Sequence, residues 1–251
     1  MWVSPTPRRP AGAPAQGKKV RMVPGLPLSS TQRFIEKGIP HQALEKRFGE
    51  PVLPFTDADG MALALVGVFG AENEPSWSNG DIPSEHAIRG FRGVTLLLDG
   101  AAKTAAILTD VFGFREVARE GSVIRYAAAG DANGSVVDIY EAKGFLPGRQ
   151  GRGSVHHIAF RAKDDAEQAE MARKLVTQHN LHPTGQRDRS YFRSIYFREP
   201  GGVLFEIATD IPGFAVDEPV DSLGHSLKLP ALLEPRRREI EAALPSIEAF
   251  A

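Results

Sequence analysis

Two stretches of this chain can be laid over one another, and that internal repeat constrains the fold more than any single motif does. In the first, Phe91 to Glu141, a strand (Gly93 to Leu98) leads into helical spacing (Ala101 to Val111) and a short strand (Phe114 to Val117). A strand (Ser122 to Ala127), a turn (Asp131-Ala132-Asn133-Gly134) and a last strand (Val136 to Tyr140) complete it. In the second, Val155 to Asp210, a strand (His157 to Arg161) precedes a helix (Asp164 to His179) with acids at its positive end and a short extended piece (Pro183 to Gln186). It closes with a strand (Ser194 to Phe197), a turn (Pro200-Gly201-Gly202) and a strand (Val203 to Ile207). Both units therefore spell β-α-β-β-β. Val94-Thr95-Leu96 lies over Ile158-Ala159-Phe160, and Val136-Val137-Asp138-Ile139 over Leu204-Phe205-Glu206-Ile207. Position 93 thus corresponds to 157, and 138 to 206.

Upstream, Glu50 to Val68 reads as strand, tight turn at Asp57-Ala58-Asp59-Gly60, and strand, with a short helix expected over Gln42 to Phe48. Residues 69 to 87, rich in Gly, Pro, Ser and acids, read as a linker. Residues 1 to 35 carry six basic side chains and no acid, leaving 24 basic against 31 acidic residues in the remainder. Six prolines interrupt the same segment, so it is expected to be a disordered basic tail, not a targeting helix or signal peptide. With a formal net charge of −1 overall and few aromatics among those basic residues, nucleic acid is not an expected partner. No uncharged apolar run approaches the roughly 20 residues that span a bilayer, so neither is a membrane. The absence of cysteine excludes thiolate ligands and nucleophiles, leaves His, Asp and Glu as the strong metal donors, and suits a cytoplasmic location. The glycines match neither a phosphate-cradling loop nor a dinucleotide fingerprint, and no Ser sits in a Gly-x-Ser-x-Gly elbow.

A His in the first strand and a Glu in the last strand of one unit can converge on one ion if those strands are neighbours. Fe(II), Mn(II) and Zn(II) accept such donors. Read from position alone, His157 is better taken as a hydrogen-bonded core histidine and Glu206 as a paired buried acid than as ligands.

Val155-His156-His157-Ile158-Ala159-Phe160, with the run Tyr196-Phe197-Arg198-Glu199-Pro200-Gly201-Gly202-Val203-Leu204-Phe205-Glu206-Ile207-Ala208-Thr209-Asp210, resembles the vicinal oxygen chelate superfamily of glyoxalases, bleomycin-resistance proteins and extradiol dioxygenases. The C-terminal stretch, Leu223-Gly224, Leu227 to Pro230 and Glu234 to Arg237, is similar to bacterial hydroquinone-type ring-cleaving dioxygenases. The resemblance implies an α+β fold of repeated β-α-β-β-β modules, with curved mixed sheets around a cleft, plus a C-terminal helix. It implies His157 and Glu206 as metal ligands, Tyr196 and Arg189 as catalytic groups, Fe(II) or else Mn(II) as cofactor, and an aromatic substrate with dioxygen as partners. His156, one step along the strand, is expected to face the other side of the sheet.

The resemblance also implies a third ligand, from a His-His-apolar motif in a first module. No such motif precedes His156; Gly93 stands at the position of His157, Asp138 at that of Glu206, and Ala64 at the matching place upstream. A misread or late start is one account of the missing module. The chain divides on this reading into a tail (1–35), a partial module (36–70), a linker (71–88), a structural module (89–142), a metal-site module (152–211) and a C-terminal tail with helix (212–251). An uncovered sheet edge would favour a homodimer. Two other readings stay open: a catalytically silent, ligand-binding member, and a glyoxalase-like metal-dependent lyase.

Overall fold

The fold is that of a computed structural model, which describes residues 2–5, 18–24, 27–76, 82–84, 87–130, 134–144, 148, 150–151 and 153–245. Among the described residues three complete β-α-β-β-β units are present. The first comprises β2 (Lys18–Pro24), α1 (Pro27–Glu36), β3 (Glu45–Arg47), β4 (Glu50–Thr56) and β5 (Ala62–Val66). A short strand, β1 (Trp2–Pro5), precedes it. The second comprises β6 (Ile88–Leu98), α2 (Ala102–Asp110), β7 (Arg115–Glu120), β8 (Val123–Ala127) and β9 (Val136–Glu141). The third comprises β10 (Val155–Ala162), α3 (Asp165–His179), β11 (Arg187–Asp188), β12 (Arg193–Arg198) and β13 (Leu204–Thr209). The expected C-terminal helix is α4 (Arg237–Ala243). Three residues of the expected turn, Asp131-Ala132-Asn133, lie outside the described residues.

In each unit the first strand runs parallel to the last, and the other pairs are antiparallel. The first strands β2 and β6 pair antiparallel and fuse two units into an eight-stranded sheet, in the order β3-β4-β5-β2-β6-β9-β8-β7. The third unit forms a five-stranded sheet, β1-β10-β13-β12-β11.

The first unit corrects the sequence expectation. Its helix is not over Gln42 to Phe48, where Glu45–Arg47 is a strand, but upstream, opening at Pro27. Proline is well placed there, since the first N–H of a helix has no partner to lose. Residues 2–5 and 18–24, expected as tail, pair with β10 and with β5 and β6. The reason is backbone accounting: β5, β6 and β10 would each otherwise present a row of unpaired N–H and C=O groups. The edge of β10 thus has a partner over four residues.

Alternation sorts each strand into two faces. Ile158, Phe160, Ile195, Phe197, Phe205 and Ile207 point one way, into a core shared with Leu96, Leu98, Ile107 and Leu108 of the second unit. Phe112 stacks on Phe160 with centroids 3.9 Å apart and planes 8° apart. Each large apolar side chain buried there contributes about 1.5–3 kcal/mol, which is what fixes strand register: a one-residue slip would put the core set in the cleft. Helix α3 is held by Asp164, whose carboxylate accepts the Glu167 N–H at 2.9 Å, and ends at Asn180 in the left-handed region.

The Tyr196 to Glu206 run owes much of its form to Glu199. This carboxylate, only 2% exposed, accepts the N–H groups of Gly201 at 2.8 Å and Val203 at 2.6 Å and the hydroxyl of Thr104 on α2. It closes the β12–β13 turn and ties it to the second unit.

Candidate metal centre

The opposite face of the five-stranded sheet carries the polar residues. Ala159 pairs with Glu206 across β10 and β13, and Tyr196 pairs with Glu206 across β12 and β13. His157 sits two residues before Ala159 on the same face. The His157 Nε2 atom lies 2.7 Å from Glu206 Oε2, and the two side chains are 7% and 2% exposed. Among the described residues Glu206 Oε1 is buried without a hydrogen-bond partner. A buried carboxylate oxygen in that condition is costly unless a cation or donor meets it. The Tyr196 ring stands edge-on to that of His157, with centroids 5.8 Å apart.

Burial first, and then the Glu206 carboxylate, push the Tyr196 phenol above its ordinary value, while Ser194 and Arg189 act against them. Tyr196 is therefore a neutral donor at neutral pH. Arg189 is exposed, in a tight loop where Ser190 takes φ 66° and its N–H is held by Asp188 Oδ1 at 2.7 Å. Its Nε makes a long contact, 3.4 Å, to the hydroxyl of the buried Ser194. The structure thus brings His157, Glu206 and Tyr196 together, with Arg189 at the rim.

The sheet face opens into a cavity of about 460 Å³ lined by Ala159, Glu206, Ala208, Tyr191, Phe192 and Phe214, among others. Ala159 and Ala208 flank the buried Glu206 with small side chains, and Tyr191 stacks on Phe214 at 5.3 Å and 21°. The sequence does not single out Tyr191, Phe192, Phe214 or Ser194; the adjacent aromatics at 191–192 are the one signal it offers. Strand alternation places His156 on the far face, whereas the His156 Nδ1 lies 2.9 Å from the His157 Nδ1.

The donor set fits a divalent cation at two positions: an imidazole nitrogen and a carboxylate, close enough to share one ion, with a buried oxygen that has no hydrogen-bond partner among the described residues. Among the described residues no third His, Cys, Asp or Glu completes a cluster. The equivalent place in the eight-stranded sheet is filled differently. There Asp138 pairs across strands with Arg125, just as Glu206 pairs with Tyr196, and Thr95 stands opposite Asp138 as Ala159 does opposite Glu206. A guanidinium occupies that cup, and a Cβ on Gly93 would come within 2.2 Å of the Val136 carbonyl oxygen, leaving no room for a histidine.

Repeated β-α-β-β-β units whose first and last strands run parallel define the class of fold. The chain belongs to the Glyoxalase/Bleomycin resistance protein/Dioxygenase superfamily, whose sequence profile matches residues 92–207. It is 41% identical over 228 residues to MhqO of Bacillus subtilis (strain 168), named as an inferred ring-cleaving dioxygenase, covering 90% of this chain and 72% of that protein. It is 29% identical over 212 residues to the chlorohydroquinone/hydroquinone 1,2-dioxygenase of Sphingobium indicum, covering 83% of this chain and 66% of that enzyme. A crystal structure of an inferred dioxygenase from Bacillus subtilis superposes with a TM-score of 0.83 at 38% identity, covering 93% of this chain and 76% of that one. Among the described residues no helix is long and apolar enough to cross a membrane.

Proposed function

We propose that the chain is an extradiol-type, ring-cleaving dioxygenase of a dihydroxylated aromatic, a hydroquinone or a catechol, working with non-haem Fe(II), with Mn(II) as the runner-up ion. The observation that carries this reading is the 2.7 Å approach of His157 Nε2 to Glu206 Oε2 at the wall of an aromatic-lined cavity. His157 and Glu206 would hold the ion, which when bound would supply Lewis acidity toward the ring hydroxyl.

The rest is the work of this chain's own side chains. The stacked pair Tyr191 and Phe214, with Phe192, offers apolar faces to a ring, and about 460 Å³ suits a molecule of that size. Tyr196, held protonated, donates to an oxygen of the reacting ring, and Arg189 stabilises anionic charge as it develops. The overall change breaks a ring carbon–carbon bond beside a hydroxylated carbon and takes up both atoms of dioxygen, so no external reductant is needed. The relatives named above for ring cleavage and for hydroquinone support this substrate class.

A catalytically silent member is the second reading, favoured by the two-donor set among the described residues. Anaerobic Fe(II) titration of the chain and of His157→Ala, with metal measured after desalting, decides between them. Near-stoichiometric iron, lost in the variant, followed by oxygen uptake with hydroquinones or catechols, is the expected result. Iron retained without oxygen uptake would point to a glyoxalase-like lyase, and no iron in either protein would leave the silent reading.

A further inference from the structure

The residue that departs most from simple strand alternation is His156. In the β1–β10 pair, Ser4 lies opposite His157 but Pro5 lies opposite Val155, so His156 is the extra residue of a β-bulge. A bulge re-aims the side chain it carries and recurs beside active sites. Here the His156 backbone carbonyl is held by the Gln150 side-chain amide at 2.7 Å, and its ring turns back onto that of its neighbour. The two rings are perpendicular, at 86° with centroids 5.2 Å apart, and the Nδ1 atoms are 2.9 Å apart.

Two ring nitrogens at that separation need one donor and one acceptor. The contact lies on the side of the His157 ring away from Nε2, the atom that faces Glu206. If His157 is the donor, its single neutral-state proton sits on Nδ1 and its Nε2 lone pair is free to bind a cation. If His156 is the donor, the His157 proton moves to Nε2, where it occupies the place of the ion.

We propose that His156 is a positioning residue: its Nδ1 accepts the Nδ1–H of His157, fixing the tautomer and ring plane that present the His157 Nε2 lone pair to a divalent cation shared with Glu206. The assignment rests on the metal-binding reading above. Partners of this kind behind a ligand imidazole typically change metal affinity by about 10–100-fold when removed.

The test is Mn(II) titration, followed by electron paramagnetic resonance, of the full chain and of His156→Asn, His156→Phe and His157→Ala, with thermal melts as a folding control. His156→Asn keeps an acceptor at the position of Nδ1, and His156→Phe keeps the ring without it. The expected result is Mn(II) binding by His156→Asn within about threefold of the parent and about 10–100-fold weaker binding by His156→Phe. Unchanged affinity in His156→Phe, or equal losses in both variants, overturns the assignment while leaving the metal site standing. A parent chain that binds no better than His157→Ala overturns the metal reading and this assignment together. Should His156→Phe fail to fold, long-range proton–nitrogen correlations on the Zn(II)-loaded parent decide. The His157 proton is expected on Nδ1 and that of His156 on Nε2; a His156 proton on Nδ1 overturns the proposal.

Discussion

Replacing Asp138 by alanine should be among the most destabilising single changes in this chain, although Asp138 lies outside the candidate metal centre. The Asp138 side chain is 0% exposed and that of Arg125 6%. Asp138 accepts the Arg125 Nε at 2.9 Å and Nη2 at 3.1 Å, and Glu50 accepts Nη1 at 2.7 Å. Arg92 in turn donates to Glu50 at 2.6 Å, so two guanidinium groups balance two carboxylates. Burial works to lower the Arg125 guanidinium, and the two carboxylates outweigh it, holding it above its ordinary value. Asp138→Ala leaves a buried cation short of one charge and two acceptors. Breaking such a pair costs about 3–5 kcal/mol, against a total stability of roughly 5–15 kcal/mol. At about 2–4 °C per kcal/mol for a chain of this size, the melting temperature should fall by roughly 6–20 °C. The double variant Arg125→Met/Asp138→Leu, which removes both charges and keeps volume, should recover most of the loss. Thermal and urea unfolding monitored by circular dichroism read both numbers, and metal content should not change in either variant. A single variant within 1 kcal/mol of the parent, or a double variant no better than the single, would refute the reasoning.

Gly93→Ala should cost about 2–3 kcal/mol or more, because its Cβ would meet the backbone oxygen of Val136 at 2.2 Å, which no rotamer change relieves; a melt matching the parent would contradict this. Glu199→Ala strands the N–H groups of Gly201 and Val203 and the Thr104 hydroxyl, for a loss of about 2–4 kcal/mol in urea unfolding, whereas a purely surface role would cost almost nothing. Burial first, then the nearby Glu116 carboxylate, raise the Tyr126 phenol. Its folded value lies above its unfolded one, so its contribution to stability is fully present below the ordinary phenol value of about 10 and is lost as pH rises through the folded value. Tyrosinate absorbance against pH should therefore lose a late-ionising group in Tyr126→Phe, and loss of an early one would be the wrong sign.

How much of this could be read from the chain depended on whether burial or charge dominated each segment. The second and third units were legible because their strands are half-buried and alternate, as in Val94, Leu96 and Leu98 or Ile158, Phe160 and Ala162. Overlaying the two units aligned His157 and Glu206 with their counterparts, but only the family resemblance singled them out as ligands; the parallel pairing of first and last strands is what puts those positions on one face. The first unit was not fully legible: Lys18, Lys19 and Arg21 and the flanking prolines look like a tail, and only the unpaired edges of β5 and β6 call for a strand there. The turn of His156 toward His157 could not be read, because a bulge is a property of the pairing and not of either strand alone. The aromatic shelf was hidden for a related reason: Tyr191 and Phe214 meet only because Gly213 donates its N–H to the Tyr191 carbonyl at 2.9 Å, a contact between separate loops.

The two cups of this chain differ mainly in who answers the carboxylate on the last strand. In one, a guanidinium across the strand pair satisfies Asp138; in the other, a tyrosine stands at that register and Glu206 keeps a buried oxygen without a hydrogen-bond partner among the described residues, with an imidazole beside it. The same fold thus carries an internal ion pair in one cup and a candidate ligand site in the other, and the cross-strand residue is one of the differences, beside Gly93 at the place of His157. Tyr196→Arg tests that statement directly. The guanidinium should reach Glu206 as Arg125 reaches Asp138, because the register of the two strand pairs is the same. It would compete with a cation for both carboxylate oxygens, and a fixed internal charge at that distance outcompetes a dilute ion. Divalent-ion affinity should fall at least 100-fold, well beyond the loss expected from removing a phenol that is not itself a ligand, while the melting temperature of the metal-free protein stays level or rises. A variant that still binds Mn(II) like the parent would show that the cup is defined by something other than the residue facing its carboxylate.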